Sequence, residues 1–145
     1  MRIHTLMSTP VITAVPTLSL LAAAHLMRSH GIRRLPVVDE GTLVGIVTDR
    51  DLREATPSRV SGVSPWEATT RLSAVTVADV MRRSVLTTTP DADARDAAHT
   101  MLLHRVGALP VIDPAGRVVG VVTVSDVLRD YAAASPAATG AGAST

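Results

Sequence analysis

Two short stretches carry the residues best suited to chemistry. They are Gly45-Ile46-Val47-Thr48-Asp49-Arg50-Asp51 and Gly120-Val121-Val122-Thr123-Val124-Ser125-Asp126. In each, an apolar run ends at a threonine, and an aspartate follows three residues later. A strand that runs into a helix N-terminus offers free backbone N–H groups, a positive dipole end and a hydroxyl at one point, a combination that suits an anion such as phosphate. A carboxylate three residues on can accept hydrogen bonds from two vicinal hydroxyls, as on a ribose. The same spacing also makes a capping box, with threonine as N-cap and aspartate as its reciprocal partner. Residue types alone leave both roles open.

A second cluster is Gly31-Ile32-Arg33-Arg34-Leu35-Pro36, just ahead of an apolar run. Paired guanidinium groups can hold phosphate oxygens by bidentate hydrogen bonds; they can equally form a solvated pair on a loop. Other chemistry is poorly supported. His25 and His30 recur as His99 and His104, five residues apart, which does not bring two imidazoles to one helix face. With no cysteine or acidic cluster to complete a ligand set, no metal is expected. Gly-x-Ser-x-Gly, Walker A and Gly-x-Gly-x-x-Gly sequences are absent. Asp91, Asp93 and Asp96 fall at a helix start, where they complement the dipole. The chain is therefore not expected to be an enzyme.

These residues sit in an internal repeat, the feature to seek first. Residues 7–52 align with 81–127 through one inserted residue. Met7, Val11, Thr13, Pro16, Ala23, His25, Met27, His30, Leu35, Pro36, Val37 and Asp39 recur as Met81, Val85, Thr87, Pro90, Ala97, His99, Met101, His104, Leu109, Pro110, Val111 and Asp113. Gly45, Val47, Thr48 and Asp51 recur as Gly120, Val122, Thr123 and Asp126. Each unit predicts the same elements. Thr76 and Asp79 have capping-box spacing and open the second unit with a short helix. An extended piece follows (Val11-Ile12-Thr13; Val85-Leu86-Thr87). An amphipathic helix comes next, with Leu20, Leu21, Ala24 and Met27 at helical spacing, and Ala94, Ala97, Ala98, Met101 and Leu102 in the second unit. Two strands joined by a turn lead to the closing helix, which starts near Thr48 or Thr123. The continuous branched run of the second strand predicts burial on both faces.

The domain reading is a first repeat over 1–56, a partly helical connector over 57–75, a second repeat over 76–131 and a disordered Ala/Ser/Gly-rich tail over 132–145. Ser64-Pro65-Trp66-Glu67 carries helix-start signals within the connector. Trp66 is expected to anchor that connector to the core, and the paired methionines to fill the core.

Composition narrows the function classes. The 145 residues are 46% apolar and 19% charged, with 14 Lys+Arg against 13 Asp+Glu and a net charge of +1. That balance lacks the basic footprint of a nucleic-acid binder and gives no polybasic membrane patch. Trp66 and Tyr131 are the aromatic residues, too few for a base-stacking platform. There is no cysteine, which excludes disulfides and thiolate chemistry. A reducing, cytoplasmic compartment is expected, since no apolar run is long enough for a membrane span and the first residues lack a signal-peptide pattern.

The duplicated h-x-x-h-Met opening, the Leu-Pro-Val-h-Asp strand and the Gly-h-h-Thr-x-x-Asp ending, in this order and twice, resemble a tandem pair of CBS domains, or Bateman module. The resemblance covers nearly all of the chain except the tail. It implies an α/β (α+β) fold of two β-α-β-β-α repeats related by pseudo-twofold symmetry, sheets packed together and helices outside. It also implies a regulatory module that binds an adenosine-containing ligand (AMP, ADP, ATP or S-adenosylmethionine) in clefts between the repeats, as a homodimer, with no required cofactor. Carried over by position, one cleft would use Thr123, Ser125 and Asp126 with Thr13, Ile32, Arg33 and Pro36. The other would use Thr48, Arg50 and Asp51 with Thr87, Val106, Gly107 and Pro110. The aspartates would hold ribose hydroxyls, and the threonines would contact the ribose-phosphate region. Arg33 or Arg34, and Arg50, would meet phosphates. Any output would pass to a separate effector protein. The competing expectation is a dimerisation module with vestigial clefts.

Overall fold

The computed structural model describes residues 1–56, 62 and 64–134. Its contacts divide the chain into two compact units, Ile12–Val85 on the one hand and Met1–Val11 with Leu86–Thr145 on the other. The fold mixes helix and strand. Within Ile12–Val85 lie α1 (Leu20–His30), β1 (Arg34–Asp39), β2 (Thr42–Thr48), α2 (Asp49–Ala55), α3 (Pro65–Ala74) and α4 (Val77–Val80). The other unit holds a 3-10 turn (Ile3–Thr5), α5 (Ala94–His104), β3 (Ala108–Ile112), β4 (Val118–Thr123) and α6 (Val124–Ala133). Residues 132 and 133, expected in the tail, close α6, while 135–145 lie outside the described residues, as do 57–61 and 63 of the connector.

Each unit is built on an antiparallel hairpin. β1 pairs with β2 from Arg34↔Thr48 to Asp39↔Thr42, and β3 with β4 from Ala108↔Thr123 to Ile112↔Val118. The β1–β2 turn has Glu40 and Gly41 at φ 51° and 82°, the two positive values that a two-residue hairpin of matching twist requires. Single bridges extend both edges. Ala14 pairs in parallel with Val37 and Thr88 with Val111, while Arg82 pairs with Ile46 and Ser8 with Val121. Pro36 and Pro110 are tolerated because β2 and β4 do not need their missing N–H groups. Ile46 and Val121 turn their own backbone groups outward, to Arg82 and Ser8, and the Pro36 and Pro110 carbonyls accept from Ala14 N and Thr88 N at 2.9 and 3.0 Å.

The openings of the two repeats are exchanged. Residues that open the first repeat complete the unit of the second: Ile3 N and His4 N donate to Ala92 O and Pro90 O at 3.0 and 2.9 Å, and Ala94 N donates to Met1 O at 2.8 Å. The equivalent residues of the second repeat complete the first. Val77 N and Ala78 N donate to Leu18 O and Pro16 O at 2.7 and 3.0 Å, and Leu20 N donates to Val75 O at 2.9 Å. Met81 lies over Gly45 and Met7 over Gly120, so that a Cβ there would come within 2.6 and 2.5 Å of the sulfur atoms. Only glycine lets the exchanged segment approach the strand this closely.

Leu20, Leu35, Val37, Val47 and Val77 form a fully buried cluster in one unit; Ile3, Leu109, Val111 and Val122 do the same in the other. Burying each such side chain contributes roughly 1.5–3 kcal/mol. Two sequence expectations are corrected here. β2 is not buried on both faces: buried Gly45 and Val47 alternate with half-buried Val44, Ile46 and Thr48, because one face carries the core and the pleat turns the next residue away. Trp66 does not anchor the connector. It is 79% exposed, and Leu72 and Val75 pack on the core instead. The paired methionines do belong to the cores: Met27 and Met101 are buried in them, and half-buried Met81 and Met7 pack against them while covering Gly45 and Gly120.

Candidate functional site

The Thr-x-x-Asp ends form the same structure twice. Thr48 is extended (φ −116°, ψ 162°) and caps α2; Thr123 (φ −117°, ψ 164°) caps α6, each in a complete capping box. Thr48 N donates to Asp51 Oδ2 at 2.9 Å, as does Thr48 Oγ1 at 2.9 Å, and Asp51 N donates back to Thr48 Oγ1 at 3.2 Å. Thr123 N donates to Asp126 Oδ2 at 2.8 Å, and Asp126 N to Thr123 Oγ1 at 3.2 Å. The capping role is therefore present in both copies.

It uses only one carboxylate oxygen. Asp51 and Asp126 are the buried charged residues among those described, at 8% and 7% exposure. In each, Oδ1 faces an arginine. Arg129 Nη1 donates to Asp126 Oδ1 at 3.2 Å, and Arg82 Nε lies 3.8 Å from Asp51 Oδ1. No buried side-chain nitrogen or oxygen among the described residues lacks a partner. A buried carboxylate whose second oxygen meets only a largely exposed guanidinium can exchange that cation for hydroxyl donors.

Within each unit the pre-strand loop reaches its own Thr-x-x-Asp end. Asp49 N donates to Arg33 O at 2.8 Å and Val124 N to Gly107 O at 3.1 Å, while Arg34 and Ala108 pair with Thr48 and Thr123. Thr13, Ile32, Arg33, Pro36, Thr48, Arg50 and Asp51 thus belong to one unit. Thr87, Val106, Gly107, Pro110, Thr123, Ser125 and Asp126 belong to the other. Each expected ligand set draws on both. Pro36 and Pro110 are buried, Ile32, Thr87, Val106 and Gly107 half-buried, and Thr13, Arg33, Arg50 and Ser125 exposed. Arg50 Nε is engaged with Glu54 Oε1 at 3.1 Å on the outer face of α2. Arg33 makes no ion pair with any described residue.

The sequence reading missed Arg82 and Arg129. Arg129 was findable, since a residue three positions after Asp126 shares its helix face. Arg82 was not, because its approach to Asp51 depends on the exchanged edge segment. Among the described residues there is no group of three or more His, Cys, Asp or Glu side chains placed to hold a metal ion, and no helix is long and apolar enough to cross a membrane.

Comparison with known proteins agrees with this architecture. The CBS domain family model matches residues 3–58 and 77–133. A CBS domain-containing protein of Dictyostelium discoideum is 38% identical over 124 residues, covering 85% of this chain and 86% of that protein. Longer archaeal relatives also match, and the chain spans 44% of one and 22% of another. Among solved structures, the CBS domain pair of protein MJ0100 in complex with 5′-methylthioadenosine and S-adenosyl-L-methionine superposes with a TM-score of 0.77 at 31% identity, covering 92% of this chain and 97% of that one. CBSX2 in complex with AMP gives 0.74 at 26% identity, covering 90% and 95%.

Proposed function

This chain belongs to the CBS domain family, and from that premise we propose that it is a regulatory module that binds an adenosine-containing ligand. The observation that carries the reading is the divided carboxylate. Asp51 and Asp126 are buried, each spends Oδ2 on its own helix cap, and each keeps Oδ1 for an exchangeable partner. A ribose diol supplies two donors to such an oxygen without unmaking the cap. The complexes of MJ0100 and CBSX2 with methylthioadenosine, S-adenosylmethionine and AMP support the ligand class.

In this reading a ligand at Asp126, with Thr123 and Ser125, takes its remaining contacts from Thr13, Ile32, Arg33 and Pro36. One at Asp51, with Thr48 and Arg50, takes them from Thr87, Val106, Gly107 and Pro110. The assembly is a homodimer. The ligand acts by binding two states of the module with different affinity, and a separate effector protein reads the difference. Calorimetry with adenosine, AMP, ADP, ATP and S-adenosylmethionine tests the reading. Heat that saturates with at least one is expected; no binding of any at millimolar concentration refutes it.

A further inference from the structure

The two arginines at the aspartates occupy non-equivalent positions. Arg129 lies one turn along α6, where the first repeat has Glu54 at the matching place in α2. Arg82 lies on the exchanged edge segment, where the other unit has Ser8. Duplication alone therefore does not account for an arginine beside each buried carboxylate. Both side chains are largely exposed, 75% for Arg129 and 63% for Arg82, so each guanidinium can swing away without disturbing the core. Each carboxylate beside them is only 8% exposed.

A diol that takes Oδ1 competes with the guanidinium for that oxygen. With a neutral nucleoside the freed arginine loses its ionic partner. A sulfonium ligand adds a like charge beside it. A phosphate restores an ionic partner to either arginine, replacing the hydrogen-bonded pair of Arg129 at 3.2 Å and the looser 3.8 Å pair of Arg82. Resting on the adenosine reading above, we propose that Arg129 and Arg82 are specificity residues. Each is released from its aspartate by the ribose and re-paired by the ligand's phosphate, which makes the sites selective for phosphorylated nucleosides over adenosine itself.

The test is calorimetry of the full chain with AMP and with adenosine, in the wild type, in Arg129→Met with Arg82→Met, and in the two Lys variants. The wild type is expected to prefer AMP. Loss of a hydrogen bond to a charged group is expected to lower the AMP-to-adenosine affinity ratio about tenfold in the Met double variant, and the Lys variants should retain most of the preference. If both ligands bind but the ratio stays within about twofold of wild type, the arginines are merely structural and this inference falls while the adenosine reading stands. A parallel loss of both affinities with a lowered melting temperature has the same meaning. If the wild type binds neither AMP nor adenosine, the selectivity proposed here is wrong, and the wider ligand panel then decides the adenosine reading.

Discussion

Asp126 and Thr123 hold each other. The aspartate accepts from the threonine backbone N–H at 2.8 Å, and the threonine hydroxyl accepts from the aspartate N–H at 3.2 Å. One residue pair thus caps the start of α6 and leaves the other carboxylate oxygen facing Arg129, so fold and binding should separate by substitution. Thr123→Val removes the cap acceptor and is expected to cost about 1 kcal/mol of stability. Asp126→Asn keeps an acceptor oxygen for the Thr123 N–H and should cost less, yet lose about tenfold or more in affinity for an adenosine ligand, since a charged acceptor is gone. Urea denaturation beside calorimetry on the two variants measures both effects.

Gly45 and Gly120 should tolerate a methyl group unequally. At Gly45 a Cβ meets Met81 Sδ at 2.6 Å and also the Arg82 carbonyl oxygen at 3.0 Å; at Gly120 its close neighbours all belong to the Met7 side chain. A side chain can swing, whereas a carbonyl in a sheet bridge cannot. Gly45→Ala is expected to cost about 1–3 kcal/mol, the usual range for overpacking. Gly120→Ala should cost less, and adding Met7→Ala should recover more there than Met81→Ala recovers at Gly45. Denaturation of the four variants gives the comparison.

The helix before each first strand ends in the left-handed region, with Gly31 at φ 62° and Arg105 at φ 54°. Only the first repeat uses the residue that adopts this conformation without a Cβ clash. Arg105→Gly is expected to stabilise the chain by up to about 1 kcal/mol, and Gly31→Arg to destabilise it by about that much. An unchanged midpoint for Arg105→Gly would mean that the strain is relieved elsewhere.

The Thr76–Asp79 capping box predicts a pH dependence. The Thr76 N–H, and after it the Thr76 hydroxyl, hold the Asp79 carboxyl below its ordinary value of 3.8. Folding then favours the ionised form, so the contribution is present above the ordinary value and is lost as pH falls through the lowered one. Asp93, held down chiefly by the Arg95 N–H, acts in the same direction. The stability gap between wild type and Asp79→Asn should be constant near neutral pH and should close in acid below 3.8. A gap that widens on acidification would contradict the assignment.

Much of the fold was legible because local pattern and tertiary structure agree. The hairpins, the caps at Thr48, Thr76 and Thr123, and the helix carrying Met27 all follow from spacing of a few residues. The exchange of openings was not legible. Nothing local tells Met7 to cover Gly120 rather than Gly45, since each repeat carries the same methionine and the same glycine at nearly the same spacing. Trp66 misled because a large apolar residue is most often buried, while in α3 it turns outward and Leu72 takes the inward position. The aspartates could be picked out by sequence; the partner of each Oδ1 could not, for it depends on side-chain reach and, for Arg82, on the exchanged strand.

The central claim is that Asp51 and Asp126 each hold the ribose of a bound nucleotide. It is tested most directly by the stoichiometry of AMP binding to the wild type, Asp51→Ala, Asp126→Ala and the double variant, with circular dichroism to show that each is folded. The account predicts that each single variant loses one class of site and that the folded double variant binds no AMP. Wild-type stoichiometry and affinity in the folded double variant would contradict it.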